Sequence, residues 1–176
     1  MKVRWLLPFG IVATPIAHVA FAAQYMTVEQ AQRAAFPDAS EFVLRVLDAT
    51  SLAPSGGAPQ GWAPKAWQAR AGGRELGWLM VDQVIGKTEL ITYAVAVDAH
   101  GAVKSIEILD YREAHGGEIR LAGWRQQFVG KTGADLLELN KDIKNISGAT
   151  LSCRHVTEGV QRLLKVYNAA LRGAAE

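Results

Sequence analysis

Four extended segments separated by turn residues, between Lys65 and Tyr111, constrain this chain more than anything else in it. Lys65 to Ala71 and Glu75 to Ile85 are divided by Gly72-Gly73, and Glu89 to Asp98 and Ala102 to Tyr111 by Ala99-His100-Gly101. Glycines supply the positive φ that a tight hairpin needs, so each break reads as a turn between antiparallel strands. Ile91, Tyr93, Val95 and Val97 alternate with smaller or polar residues; Val103, Ile106, Ile108 and Leu109 do so less strictly. The expectation is a twisted antiparallel sheet with one face buried and, because helical patterns flank the strands, an α+β domain.

The helical patterns are short before the sheet and long after it. Thr27 with Gln30 reads as a capping box opening a helix that runs to about Phe36 and is closed by Pro37. Glu41 to Asp48 suits either a strand or a second helical turn. Ser51 to Pro64 carries Pro54, Gly56, Gly57, Pro59, Gly61 and Pro64 and reads as a long irregular loop from which Trp62 folds back onto the body. Leu121, Trp124 and Phe128 recur at helical spacing, predicting a short helix over the sheet. From Leu151 to Leu171 the apolar residues Val156, Val160, Leu163, Leu164, Tyr167 and Leu171 fall on one helical face.

Composition limits the classes of function. A chain of 176 residues holds one domain with a real core, and a formal net charge of +2, without a basic stripe, does not support nucleic-acid binding. Lys2 and Arg4 precede an apolar run from Trp5 to Phe21 that ends in Ala20-Phe21-Ala22, the small-x-small pattern of signal-peptide cleavage. Export with cleavage after Ala22 to the periplasm is the expectation, and a retained N-terminal anchor is the alternative. The chain then divides into a signal peptide (1–22), an N-terminal helix and Pro/Gly-rich loop (23–64) and a main domain (65–173). Cys153 is the single cysteine, so no internal disulfide is available and a buried helix position is its simplest account.

Ser147-Gly148-Ala149-Thr150-Leu151-Ser152 stands where the long C-terminal helix begins. First-turn N–H groups are unsatisfied and carry a partial positive charge, so an anion is stabilised there. A Ser or Thr in the same place can equally cap the helix with nothing attached. The hexapeptide resembles the flavinylation motif of the FMN-binding domain found in two subunits of the sodium-pumping NADH:quinone oxidoreductase and in related periplasmic electron carriers. Tyr111-Arg112-Glu113, Gly116-Gly117-Glu118, Trp124 and Gln127-Phe128-Val129-Gly130-Lys131 also resemble small stand-alone members of that family, so the likeness spans about Trp67 to Leu171.

The resemblance implies FMN as cofactor, carried on Thr150 by a phosphoester that a dedicated flavin transferase installs, and a membrane-bound reductase or other redox partner. One position departs from the family pattern: the aspartate expected six residues before the threonine is Lys144, and the nearest acid is Asp142. Covalent and non-covalent holding both stay open here. Ser147, Gly148, Ala149, Leu151 and Ser152 are the phosphate-side candidates beside Thr150. Gly116 and Gly117 are candidates for a slot along the flavin ring, where main-chain N–H groups can approach closely, and Tyr111 stands at the start of that loop. Arg112 and Glu113 read as a donor to the ring edge with its orienting partner, or as a surface ion pair. Trp124 reads as a pocket wall or as core, and Lys131 as a phosphate partner or a helix-end cation.

Other chemistry is poorly supported. Cys153 and His155 are two residues apart and point in different directions on a helix, which argues against a metal pair. Ser147, His155 and Asp142 lack the strand-elbow-helix context of a serine hydrolase. An exported electron carrier is therefore the main expectation. The alternatives are a small flavin-dependent reductase and a flavin-free assembly module with the same fold.

Overall fold

A computed structural model describes residues 23–47, 59 and 61–173. The expected signal peptide, Asp48 and most of the Ser51 to Pro64 loop lie outside the described residues. One six-stranded antiparallel sheet contains β1 (Ala23–Gln24), β2 (Glu41–Arg45), β3 (Lys65–Ala71), β4 (Arg74–Ile85), β5 (Leu90–Asp98) and β6 (Val103–Tyr111), in the spatial order β1-β6-β5-β4-β3-β2. Strands β3 to β6 form a plain meander, and the short β1 and β2 are its edges. Both glycine breaks are turns as expected. Gly72 and Gly73 have φ of +55° and +79°, the sign a tight hairpin demands. At the other turn the Asp98 carboxylate accepts the N–H groups of His100 and Ala102 at 2.8 and 2.9 Å. The segment from Glu41 is a strand, paired with β3 from Glu41 opposite Arg70 to Arg45 opposite Ala66.

Helix α1 (Val28–Ala35) is opened by the capping box: Gln30 N–H donates to Thr27 Oγ1 at 3.2 Å and Thr27 N–H to Gln30 Oε1 at 2.8 Å. It covers one face of the sheet. The other face carries α2 (Ala122–Arg125), flanked by two 3₁₀ turns, and α3 (Thr150–Val166), which ends in a π turn over Tyr167–Leu171. The sheet is thus buried on both faces in its centre, not on one. In β5, Ile91, Tyr93, Val95 and Val97 belong to the core under α3, while Ala94 and Ala96 belong to the core under α1. The small residues that look like a solvent side in the sequence instead let α1 approach with Ala31, Ala35 and Phe36. Gly77 makes room for this packing, since a Cβ there would lie 2.9 Å from Phe36 Cε1 and 2.2 Å from Val97 O.

Helix α3 is held by its apolar face and by one buried polar cluster. Val156, Val160, Leu163 and Leu164 are fully buried, each contributing roughly 1.5–3 kcal/mol. Asp82 of β4, with no exposed surface, accepts Tyr93 Oη–H at 2.8 Å and Trp62 Nε1–H at 3.0 Å and pairs with Arg162 of α3. Trp62 therefore does fold back onto the body. Gly159 lets α3 come this close: a Cβ there would stand 2.0 Å from Tyr93 Oη.

Candidate functional site

Three segments meet at one end of the sheet around an open cleft of about 830 Å³. They are Lys87 and Thr88 in the β4–β5 turn, residues 113–118 after β6, and residues 148–152 at the start of α3.

The third segment carries the motif. Gly148 has φ of +87°, which favours glycine, and turns the chain so that Ala149 N–H reaches Ile146 O at 3.0 Å. Ala149 is the N-cap residue of α3 and Thr150 its first helical residue; no side chain caps the first turn. Neither Ser147 nor Thr150 plays the capping role that the sequence alone left open. This contrasts with α1, where Thr27 does. The Thr150 hydroxyl accepts from Asn145 Nδ2 at 2.9 Å, so the hydroxyl's own hydrogen is not committed to that amide.

Residues 113–118 are pressed against this turn. Gly116 has φ of +89°, and a Cβ on it would lie 2.7 Å from Tyr111 Oη, 3.1 Å from Ser152 Oγ and 3.4 Å from Ala149 Cα. Tyr111 Oη donates to His115 O and shares a 3.1 Å hydrogen bond with Ser152 Oγ. Burial pushes the Tyr111 phenol up from its ordinary pKa, so it stays protonated as a strut beneath the loop. Burial likewise raises the Cys153 thiol, which is wholly inside.

Glu113 builds the remaining wall. Its carboxylate accepts the N–H groups of Lys87, Thr88 (2.6 Å) and Glu89 (2.9 Å) and the Thr88 hydroxyl (3.2 Å). Burial pushes this carboxyl up, but the backbone donors outweigh it and hold it below the ordinary carboxylate range. From α3, His155 Nδ1 reaches the Ile85 and Gly86 carbonyls at 2.6 and 3.0 Å, which ties the same turn to the helix that begins at Thr150.

Residues 86–165 match the family model of the FMN-binding domain. This segment is an FMN-binding domain. The match begins at the β4–β5 turn and ends inside α3, so it contains all three walls of the cleft. The domain indicates FMN as the cofactor and, at that coarse level, flavin binding and electron transfer. A search of curated proteins finds no match. The chain's own residues fit the group: the cleft has the size of a cofactor site, and an uncapped helix start offers N–H donors to a phosphate.

Among the expected site residues, Gly148, Ala149, Thr150, Leu151, Ser152, Glu113, Gly116 and Gly117 are brought together at the cleft. Ser147 is exposed beside it, and Tyr111 supports it from below. Three others sit elsewhere. Arg112 pairs with Asp110 at 2.9 Å and not with Glu113, because residues two apart on an extended chain share a face and neighbours do not. Trp124 is core, edge-on to Phe128 with centroids 5.0 Å apart, and its Nε1–H donates to Lys144 O at 2.9 Å. Lys131 pairs with Asp142 at 3.2 Å and Asp135 at 3.5 Å.

The acids near the motif are also occupied differently. Asp142 accepts from Leu137 and Glu138 N–H at 3.0 and 2.7 Å, which fixes the 137–142 loop. Lys144 is exposed and held through its backbone, by Trp124 and by Gln127 Oε1 at 2.7 Å. Lys87, Thr88 and Asn145 join the site without a signal in the sequence. Lys87 and Thr88 fall in what reads as a bare connection between strands, and nothing in the sequence marks Asn145.

Proposed function

We propose that this protein is an exported electron carrier whose FMN is esterified through its phosphate to Thr150 Oγ. The observation that carries the reading is the placement of Thr150: a free-donor hydroxyl on the first residue of an uncapped helix, in the wall of the FMN-binding cleft. An oxygen there can take a phosphoryl group whose remaining negative charge is met by first-turn N–H donors. Asn145, donating to Thr150 Oγ, orients that oxygen. A bonded cofactor cannot be lost outside the cytoplasm, where it cannot be replenished. Export rests on Lys2, Arg4, the apolar run and Ala20-Phe21-Ala22; among the described residues no helix is long and apolar enough to cross a membrane. A flavin transferase and a membrane-bound reductase are the partners that this reading requires.

Mass spectrometry of the mature protein, after co-expression with a flavin transferase, tests it. The expected mass is the chain from Ala23 plus FMN less water, and Thr150→Ala returns the bare polypeptide. A bare wild-type mass would refute covalent attachment, and flavin that survives denaturation in Thr150→Ala would place the bond elsewhere.

A further inference from the structure

We infer that Lys87 is the residue that sets the redox potential of the bound flavin, by meeting the negative charge that the ring gains on reduction; this rests on the FMN reading above. Among the described residues, Lys87 is the one lysine or arginine lining the cleft, and its ammonium makes no ion pair with them. The other charged side chains that line it are Glu113 and Glu118, with His115 also present. Glu113 already spends its charge on three N–H groups and a hydroxyl.

The position of Lys87 is built, not incidental. Its N–H is gripped by Glu113, and the two following N–H groups are held by the same carboxylate oxygen. The carbonyls of Ile85 and Gly86, just before it, are tied to His155. A Cβ on Gly86 would displace the Glu113 carboxylate, since it would fall 2.7 Å from Glu113 Oε1. Lys87 thus stands on a fixed backbone in a wall of the cleft, on a turn tied through His155 to the helix that begins at Thr150. The phosphate has its own donors in the first turn of α3, which leaves Lys87 for the ring.

The redox step balances simply. An external electron donor gives up two electrons, and the ring takes them with one proton from water and carries one negative charge. A nearby cation favours that product over the neutral oxidised ring, which is the usual way a protein tunes a flavin.

The test is a potentiometric titration of the flavin-loaded protein with dithionite and a reference dye. Lys87→Gln is expected to lower the reduced-to-oxidised ratio at fixed potential by about tenfold, about 30 mV for a two-electron couple, and Lys87→Arg to keep the wild-type value. An unchanged potential in loaded Lys87→Gln overturns the inference. So does failure of Lys87→Gln to take up FMN at all, because Lys87 would then serve the phosphate or the oxidised ring. A wild-type protein that takes up no flavin fails the functional reading instead, which separates the two.

Discussion

Replacing Arg162 by leucine tests how α3, and with it Thr150, is fixed to the sheet. Asp82 has no exposed surface and Arg162 almost none, so the substitution leaves a buried carboxylate whose remaining side-chain donors, among the described residues, are Tyr93 and Trp62. Removing one partner of a buried ion pair costs about 3–5 kcal/mol, a large part of the roughly 5–15 kcal/mol that holds a typical domain together. With a urea dependence of about 2 kcal/mol per molar, the midpoint of urea unfolding should fall by about 1.5–2.5 M. Adding Asp82→Asn to Arg162→Leu removes the stranded charge while keeping a group that can bond both Tyr93 and Trp62, so the double variant should recover part of the loss. The reasoning is refuted if Arg162→Leu moves the midpoint by less than about 0.5 M, or if the double variant is no more stable than the single.

Two further outcomes concern the cleft walls. Gly116→Ala combines a left-handed backbone with a Cβ 2.7 Å from Tyr111 Oη, whereas Gly148→Ala has the same backbone sign and nothing within 4 Å. Backbone strain alone is worth about 1–2 kcal/mol, so urea midpoints should rank wild type above Gly148→Ala above Gly116→Ala; equal costs would show that the Tyr111 contact is slack. Glu113 has a folded-state pKa below its unfolded value, so the unfolded chain binds more protons. Its contribution is complete above about pH 4.3 and is lost as pH falls through the folded value. The protection factors of the Lys87, Thr88 and Glu89 amides, taken relative to intrinsic exchange at each pH, should fall on acidification through that range, and should already be low and less pH-dependent in Glu113→Gln.

The parts of the fold legible in the sequence are those set by local chemistry. The capping box at Thr27, the glycine turn at 72–73 and the apolar face of α3 each depend on residues close in sequence, and each is present. The second buried face was hidden because Ala94 and Ala96 read as neutral spacers; their meaning comes only from α1, more than fifty residues away. Arg112 was within reach of sequence reasoning, since a period of two points to Asp110 and not Glu113. Trp124 was not, because its partner is a backbone carbonyl twenty residues on.

The site's location follows from strand parity more than from any motif. In a meander, β4 and β6 run in the same direction, so the turn after Ile85 and the loop after Tyr111 leave the sheet at the same end. Helix α3 reaches that end too, since Ser152 meets Tyr111 and His155 meets Ile85. Thr150 therefore shares one cleft with both loops. Spacing along the chain does not point to Lys87, because its neighbourhood to Glu113 and Thr150 is created by two strands that share a direction. The same parity excludes the β5–β6 turn with His100 and the β3–β4 turn with Gly72 from the site, because both lie at the opposite end of the sheet.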